Sequence, residues 1–111
     1  MMKRSLRVSP AEFRGRSPDI AFSLPFCAVR GYRRESGDAK NRFGIAVGAR
    51  VDSRSTRRHF WKRRVGEAVK MWPEVGMDFI ISTLPAIRNE TPPRVKSDLG
   101  RAGNRLFGAK S

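Results

Sequence analysis

The chain has one cysteine, Cys27, one histidine, His59, and only ten Asp and Glu residues among its 111. A single thiol excludes an intramolecular disulfide framework and is compatible with a reducing cytoplasm. One Cys and one His are too few for a zinc site. The acids are scattered, so no carboxylate pair suggests acid–base work. His59 has no recognisable triad around it, and a Cys27–His59 nucleophile pair would need the fold to join two distant segments. No apolar run approaches the roughly 20 residues that span a bilayer. Met1 to Pro10 is basic and lacks an apolar h-region, so no secretory signal is expected. The expectation is a cytoplasmic protein with no catalytic centre, metal site or membrane span of its own.

What is abundant is positive charge. Lys and Arg number 24, for a formal net charge of +14. Such an excess on one small domain repels itself unless a polyanion neutralises it, and nucleic acid is the commonest such partner. Residues 1–111 are expected to form one domain, able to bury a modest core without staples. Met1 to Val8 reads as a basic tail, mobile until bound.

Along the chain, Ser9-Pro10-Ala11-Glu12 has the form of a capped helix start, ended within little more than a turn by Gly15. Phe22, Leu24, Phe26 and Ala28 alternate with their neighbours and predict one strand, at an edge or bulged because of Pro25. Glu35 to Asn41, with Gly37-Asp38 inside it, predicts a hairpin connection to a second strand through Phe43, Ile45 and Val47. A loop over Gly48 to Ser53 follows. Thr56 to Trp72 carries the clearest helical period, with Trp61, Val65, Ala68, Val69 and Trp72 on one apolar face. His59, Lys62, Arg63, Gly66 and Lys70 fall roughly opposite, and Pro73 ends the helix. Asp78 to Ser82 predicts a short buried strand after a turn at Gly76. Pro85, Pro92 and Pro93 bracket a loop, and Val95, Leu99, Ala102 and Leu106 predict a final helix weakened by Gly100 and Gly103. The order gives an α+β sandwich, helices packed on one sheet.

Arg54, Arg57, Arg58, Lys62, Arg63 and Arg64 place six positive charges within eleven residues, with only Glu67 inside the helix to offset them. Side chains on a rigid helix can track a sugar-phosphate backbone, each contact releasing counterions. Arg50 just before the helix and Lys70 at its end extend the candidate surface. Phe13, Phe22 and Phe26 lie among Arg14, Arg16 and Arg30, a mixture suited to unpaired bases. Phe22 reads as core; for Phe13 and Phe26 core and stacking roles both stay open.

The run Arg58-His59-Phe60-Trp61-Lys62-Arg63-Arg64-Val65-Gly66-Glu67 resembles the signature helix of bacterial ribonuclease P proteins, Arg-Asn-x-x-Lys-Arg-x-x-Arg-Glu, with Arg58, Lys62, Arg63 and Glu67 in register. Arg42 to Val47 is similar to the family's Arg-Val-Gly-Phe-Ser-Val strand, and Arg50-Val51 to the Lys-Val after it. Asp78 to Ile81 and Pro85 match the Asp, apolar strand and Pro that follow the signature helix. The departures are His59 for Asn, Phe60 for the next Arg and Gly66 for the later one. The stretch from Val51 to Arg58 is one residue longer, and the first helix about a turn shorter.

The resemblance implies a fold like the second domain of ribosomal protein S5, with a left-handed βαβ crossover at the signature helix. It implies a subunit, one protein per RNA, of an enzyme whose catalytic RNA, with Mg2+, cleaves the 5′ leader from precursor tRNA. Arg58, His59, Lys62 and Arg63 would then contact the catalytic RNA, while Phe13 and Phe26 would line a leader cleft between the sheet and the first helix. The rival reading is a ribosomal or other structural RNA-binding protein. A DNA-binding module lacks the preceding helix and tight turn, and a membrane-active helix explains the two Trp less well than a core does.

Overall fold

The stretch from Ser55 to Val69 forms the long helix α1, and its Trp61, Val65, Ala68 and Val69 are all buried, as their spacing requires. The computed structural model describes residues 7–34 and 39–107. Four strands make one mixed sheet: β1 (Ile20–Leu24), β2 (Cys27–Arg33), β3 (Arg42–Ala46) and β4 (Met77–Thr83), in the order β1-β2-β4-β3. A second helix, α2 (Pro92–Phe107), packs against α1. The expected α+β sandwich is what forms, and β3, α1 and β4 make the crossover between neighbouring parallel strands.

Several boundaries differ from the sequence reading, each for a physical reason. The single strand expected through Phe26 is a hairpin: Leu24 pairs with Cys27 across a turn at Pro25 and Phe26. Pro25 therefore needs no ladder partner. No hairpin joins β2 to β3, because β4 lies between them; Gly37 and Asp38 of that expected connection lie outside the described residues. The first helix is a four-residue 3-10 turn, Pro10–Phe13, with Ser9 and Glu12 forming the expected reciprocal cap. Helix α1 ends three residues before Trp72, whose indole Nε1 donates instead to the Leu99 carbonyl of α2 at 2.8 Å. Pro92 and Pro93 open α2 rather than bracket a loop, since Pro at the first turn forfeits no helical hydrogen bond. Within α2, Gly103 is needed: a β-carbon there would collide with the Trp72 ring. Of the expected tail, Val8 is packed, its N–H donating to the Phe43 carbonyl at 2.9 Å.

The alternation of the strands divides the sheet. One face carries Val29, Phe43, Phe79 and Ile81 into the main core with α1 and α2. The other face is covered by neither α1 nor α2 and carries a small second cluster of Val8, Phe13, Tyr32 and Ile80, with the 3-10 turn at one end. Two polar networks fix the crossover. Asn41, 1 % exposed, donates to the Pro73 carbonyl and accepts from the N–H groups of Val75 and Met77, tying the start of β3 to the segment after α1. Asp78 accepts two hydrogen bonds from Arg42 and one from Arg34, at 2.7–2.8 Å. Burial works to raise the Asp78 carboxyl, but the bonds and charges of the two arginines outweigh it and hold it below the usual range.

Candidate nucleic-acid interface

The basic residues around α1 divide by what they touch. Asp52, buried just before the helix, accepts hydrogen bonds from the Arg54 N–H at 3.0 Å and from its guanidinium at 3.1 Å. Those bonds hold the Asp52 carboxyl down at about 2. Arg58 turns back toward the same loop, its Nη1 donating to the carbonyls of Asp52 and Ser53 at 3.0 and 2.8 Å. The guanidiniums of Arg57 and Arg64 lie 4.6 and 5.0 Å from the Phe60 ring centroid, and Arg64 also pairs with Glu67. Arg50 is exposed in the turn before the helix.

His59, Lys62, Arg63 and Lys70 are different. All four are exposed, line one groove, and take part in no ion pair or side-chain hydrogen bond found among the described residues. The groove has a volume of 490 Å³. Its floor is the edge strand β3 at Phe43, Gly44 and Ile45, and its far wall is the segment Arg7 to Pro10. Gly44 lets that segment approach, because a β-carbon would meet the Val8 carbonyl oxygen at 2.6 Å. The helical period puts Gly66 on the same side as these residues, and the structure sets it in the groove wall. Periodicity could not show that this side of α1 faces a floor and a second wall.

The two aromatic candidates fare differently from the expectation. Phe26 is 1 % exposed within the main core, and a ring with no free face has none to stack on a base. The leader-cleft role expected of it does not fit that burial. Phe13 is 5 % exposed and stacks on Tyr32 at 4.6 Å, with the Arg16 guanidinium 5.1 Å from its centroid. It supports the uncovered sheet face from one end. That face continues through Ala21, Ser23, Ala28, Ala46 and Ser82, small side chains around an exposed Arg30. In the sequence Arg30 and Arg16 stand out only as neighbours of aromatics, and Tyr32 does not stand out. The signal that could have found them was the period of β2, which puts Arg30 and Tyr32 on one face.

Cys27 is fully buried, and burial pushes its thiol up to about 12, so it stays protonated at neutral pH. His59 lies out on the groove, and the fold does not join the two into a nucleophile pair. No three His, Cys, Asp or Glu side chains among the described residues cluster to hold a metal ion, and no helix among them is long and apolar enough to cross a membrane.

No family model and no curated protein matches the sequence. The fold matches solved structures, among them two of a Staphylococcus aureus protein. A Staphylococcus aureus RNase P protein mutant with defective mRNA degradation activity aligns with a TM-score of 0.76 at 16% identity, covering 94% of this chain and 89% of that one. The S. aureus RNase P protein aligns with a TM-score of 0.72 at 16% identity, covering 91% and 94%. The chain therefore has the fold of these proteins.

Proposed function

We propose that this chain is the protein subunit of a ribonuclease P, gripping the catalytic RNA along the groove of α1 and the 5′ leader of precursor tRNA across the uncovered face of the sheet. The observation that carries the reading is the row of His59, Lys62, Arg63 and Lys70 along one groove of an RNase P protein fold, without ion-pair partners among the described residues. Cations left unneutralised on a rigid helix are matched to phosphates, and their charge makes binding fall with salt.

The protein's part is binding and orientation. Lys62, Arg63 and Lys70 neutralise backbone phosphates, and Arg58 and Arg54 hold the loop that leads into the helix. The small residues around Arg30 leave room for a single strand, and Arg30 and Arg16 supply charge there. Mg2+ in this reading serves the RNA subunit.

The test is reconstitution. Combined with a bacterial ribonuclease P RNA at low salt and low magnesium, the protein should raise cleavage of precursor tRNA at the mature 5′ end, and alone it should cleave nothing. Absence of stimulation, together with co-purification of ribosomal RNA, would favour the structural RNA-binding reading. Cleavage by protein rigorously freed of RNA would overturn the assignment of chemistry to the RNA.

A further inference from the structure

The groove on α1 is larger and more apolar than a track for phosphates needs to be. A phosphate backbone asks only for cations and hydrogen-bond donors. This groove adds Phe43, Ile45, Val8 and Pro10 beneath and opposite the cations, and its 490 Å³ lies within the range of about 300–1,000 Å³ typical of small-ligand pockets. One residue in the helix wall stands out. Gly66 sits one helical turn from both Lys62 and Lys70, and between Arg63 and Lys70 on the same side.

Glycine is a poor helix former, and nothing in the backbone calls for it, since the described glycines with positive φ are Gly15 and Gly76. Gly66 lines the cavity and puts no side chain into the middle of the basic row.

We propose that the groove at Gly66 receives one unpaired nucleotide of the bound RNA. Its base lies on the floor between Ile45 and Pro10, and its phosphate lies against Lys62, Arg63 and Lys70. The chemistry is that of single-strand recognition, in which an apolar surface takes the base and flanking cations take the backbone. His59, at the opposite end of the row from Lys70, can donate to or accept from an edge of the base. This rests on the reading of α1 as an RNA-binding helix and adds to it the kind of nucleotide held.

Two RNA hairpins, identical except for one bulged 2-aminopurine nucleotide, separate the two claims at low salt. The full-length protein should bind the bulged hairpin about tenfold more tightly than the paired one, with a change in 2-aminopurine fluorescence. Gly66→Leu fills the cavity and should bring the ratio of affinities close to one, with circular dichroism confirming the fold. Gly66→Ala, which a helix accepts without strain, should narrow the ratio partway and carries the test if the Leu variant does not fold. Equal binding of the two hairpins by the unaltered protein would overturn the proposal, as would a ratio that survives in the folded Gly66 variants. Lys62→Ala should weaken binding to both hairpins. If it leaves both affinities untouched, the reading of α1 as an RNA-binding helix fails, not the nucleotide pocket alone.

Discussion

Arg54 and Arg58 lie at the start of the helix that carries Lys62 and Arg63 and ends at Lys70, and in a count of charges they are the same kind of residue. In the fold they are not. Arg54 and Arg58 close on Asp52 and on the carbonyls of Asp52 and Ser53, so part of their hydrogen-bonding capacity is spent on the loop that starts the helix. The other three project over the groove with no such partners among the described residues. A basic helix thus combines cations that shape it with cations left for a ligand, and a partner's position rather than the residue type decides which is which. Phe13 and Phe26 repeat the lesson. Both come from the arginine-laced N-terminal half, yet one edges the uncovered sheet face and the other is sealed in the core.

The strongest way to sharpen this contrast is to damage the core side of α1. Trp61→Ala should lower stability by about 3–5 kcal/mol, read by thermal or urea unfolding, while the salt dependence of RNA binding by the remaining folded protein keeps its slope. Phe26→Ala should act in the same way, with a loss of about 3–5 kcal/mol and an unchanged ratio of affinities for precursor and mature tRNA. Arg30→Ala makes the opposite cut on the uncovered face: stability within about 0.5 kcal/mol of the original, and a severalfold fall in that ratio. A Phe26 variant that folds normally and loses its leader preference would break the division between core and face.

Smaller effects separate the two sets of cations. Lys62→Ala or Arg63→Ala should leave the melting temperature nearly unchanged and make the log–log salt slope shallower by about 0.7–0.9 unit each. Arg54→Ala should instead lower the melting temperature more than it alters the slope. The smallest effect is in acid. Asp52 is held at about 2 in the fold, against an ordinary aspartate value of about 3.9. Its charge therefore contributes stability that is complete above about pH 4 and is lost as pH falls toward 2. Melting temperatures of the protein and of Asp52→Asn should differ at pH 5 and converge by about pH 2; a gap that persists at pH 2 would mean that Asp52 acts through something other than its charge.

Much of this was legible before the fold was known, where the information is local. The period of Trp61, Val65, Ala68 and Val69 placed the helix and its buried face because residues three and four apart share a side of any α-helix. The Ser9–Glu12 cap was readable for the same reason, as were the α+β class and the basic character of α1. The signature of α1 and the strands around it, in order, pointed to the fold later matched by the S. aureus structures.

What the sequence by itself determined was therefore periodicity, charge and the order of elements, all set by neighbours within a turn or a strand. Tertiary structure alone decided that β3 pairs with β4 and not with β2, because strand partners are chosen by long-range burial that no local pattern records. It alone turned Phe26 into the core, since the alternation of Phe22, Leu24, Phe26 and Ala28 reads the same across a tight turn as along one strand. It also made a groove from residues more than fifty positions apart: α1 supplies cations, β3 an apolar floor, and Arg7 to Pro10 a second wall. The space beside Gly66 belongs to none of these segments singly, because a cavity exists only where packed surfaces fail to meet.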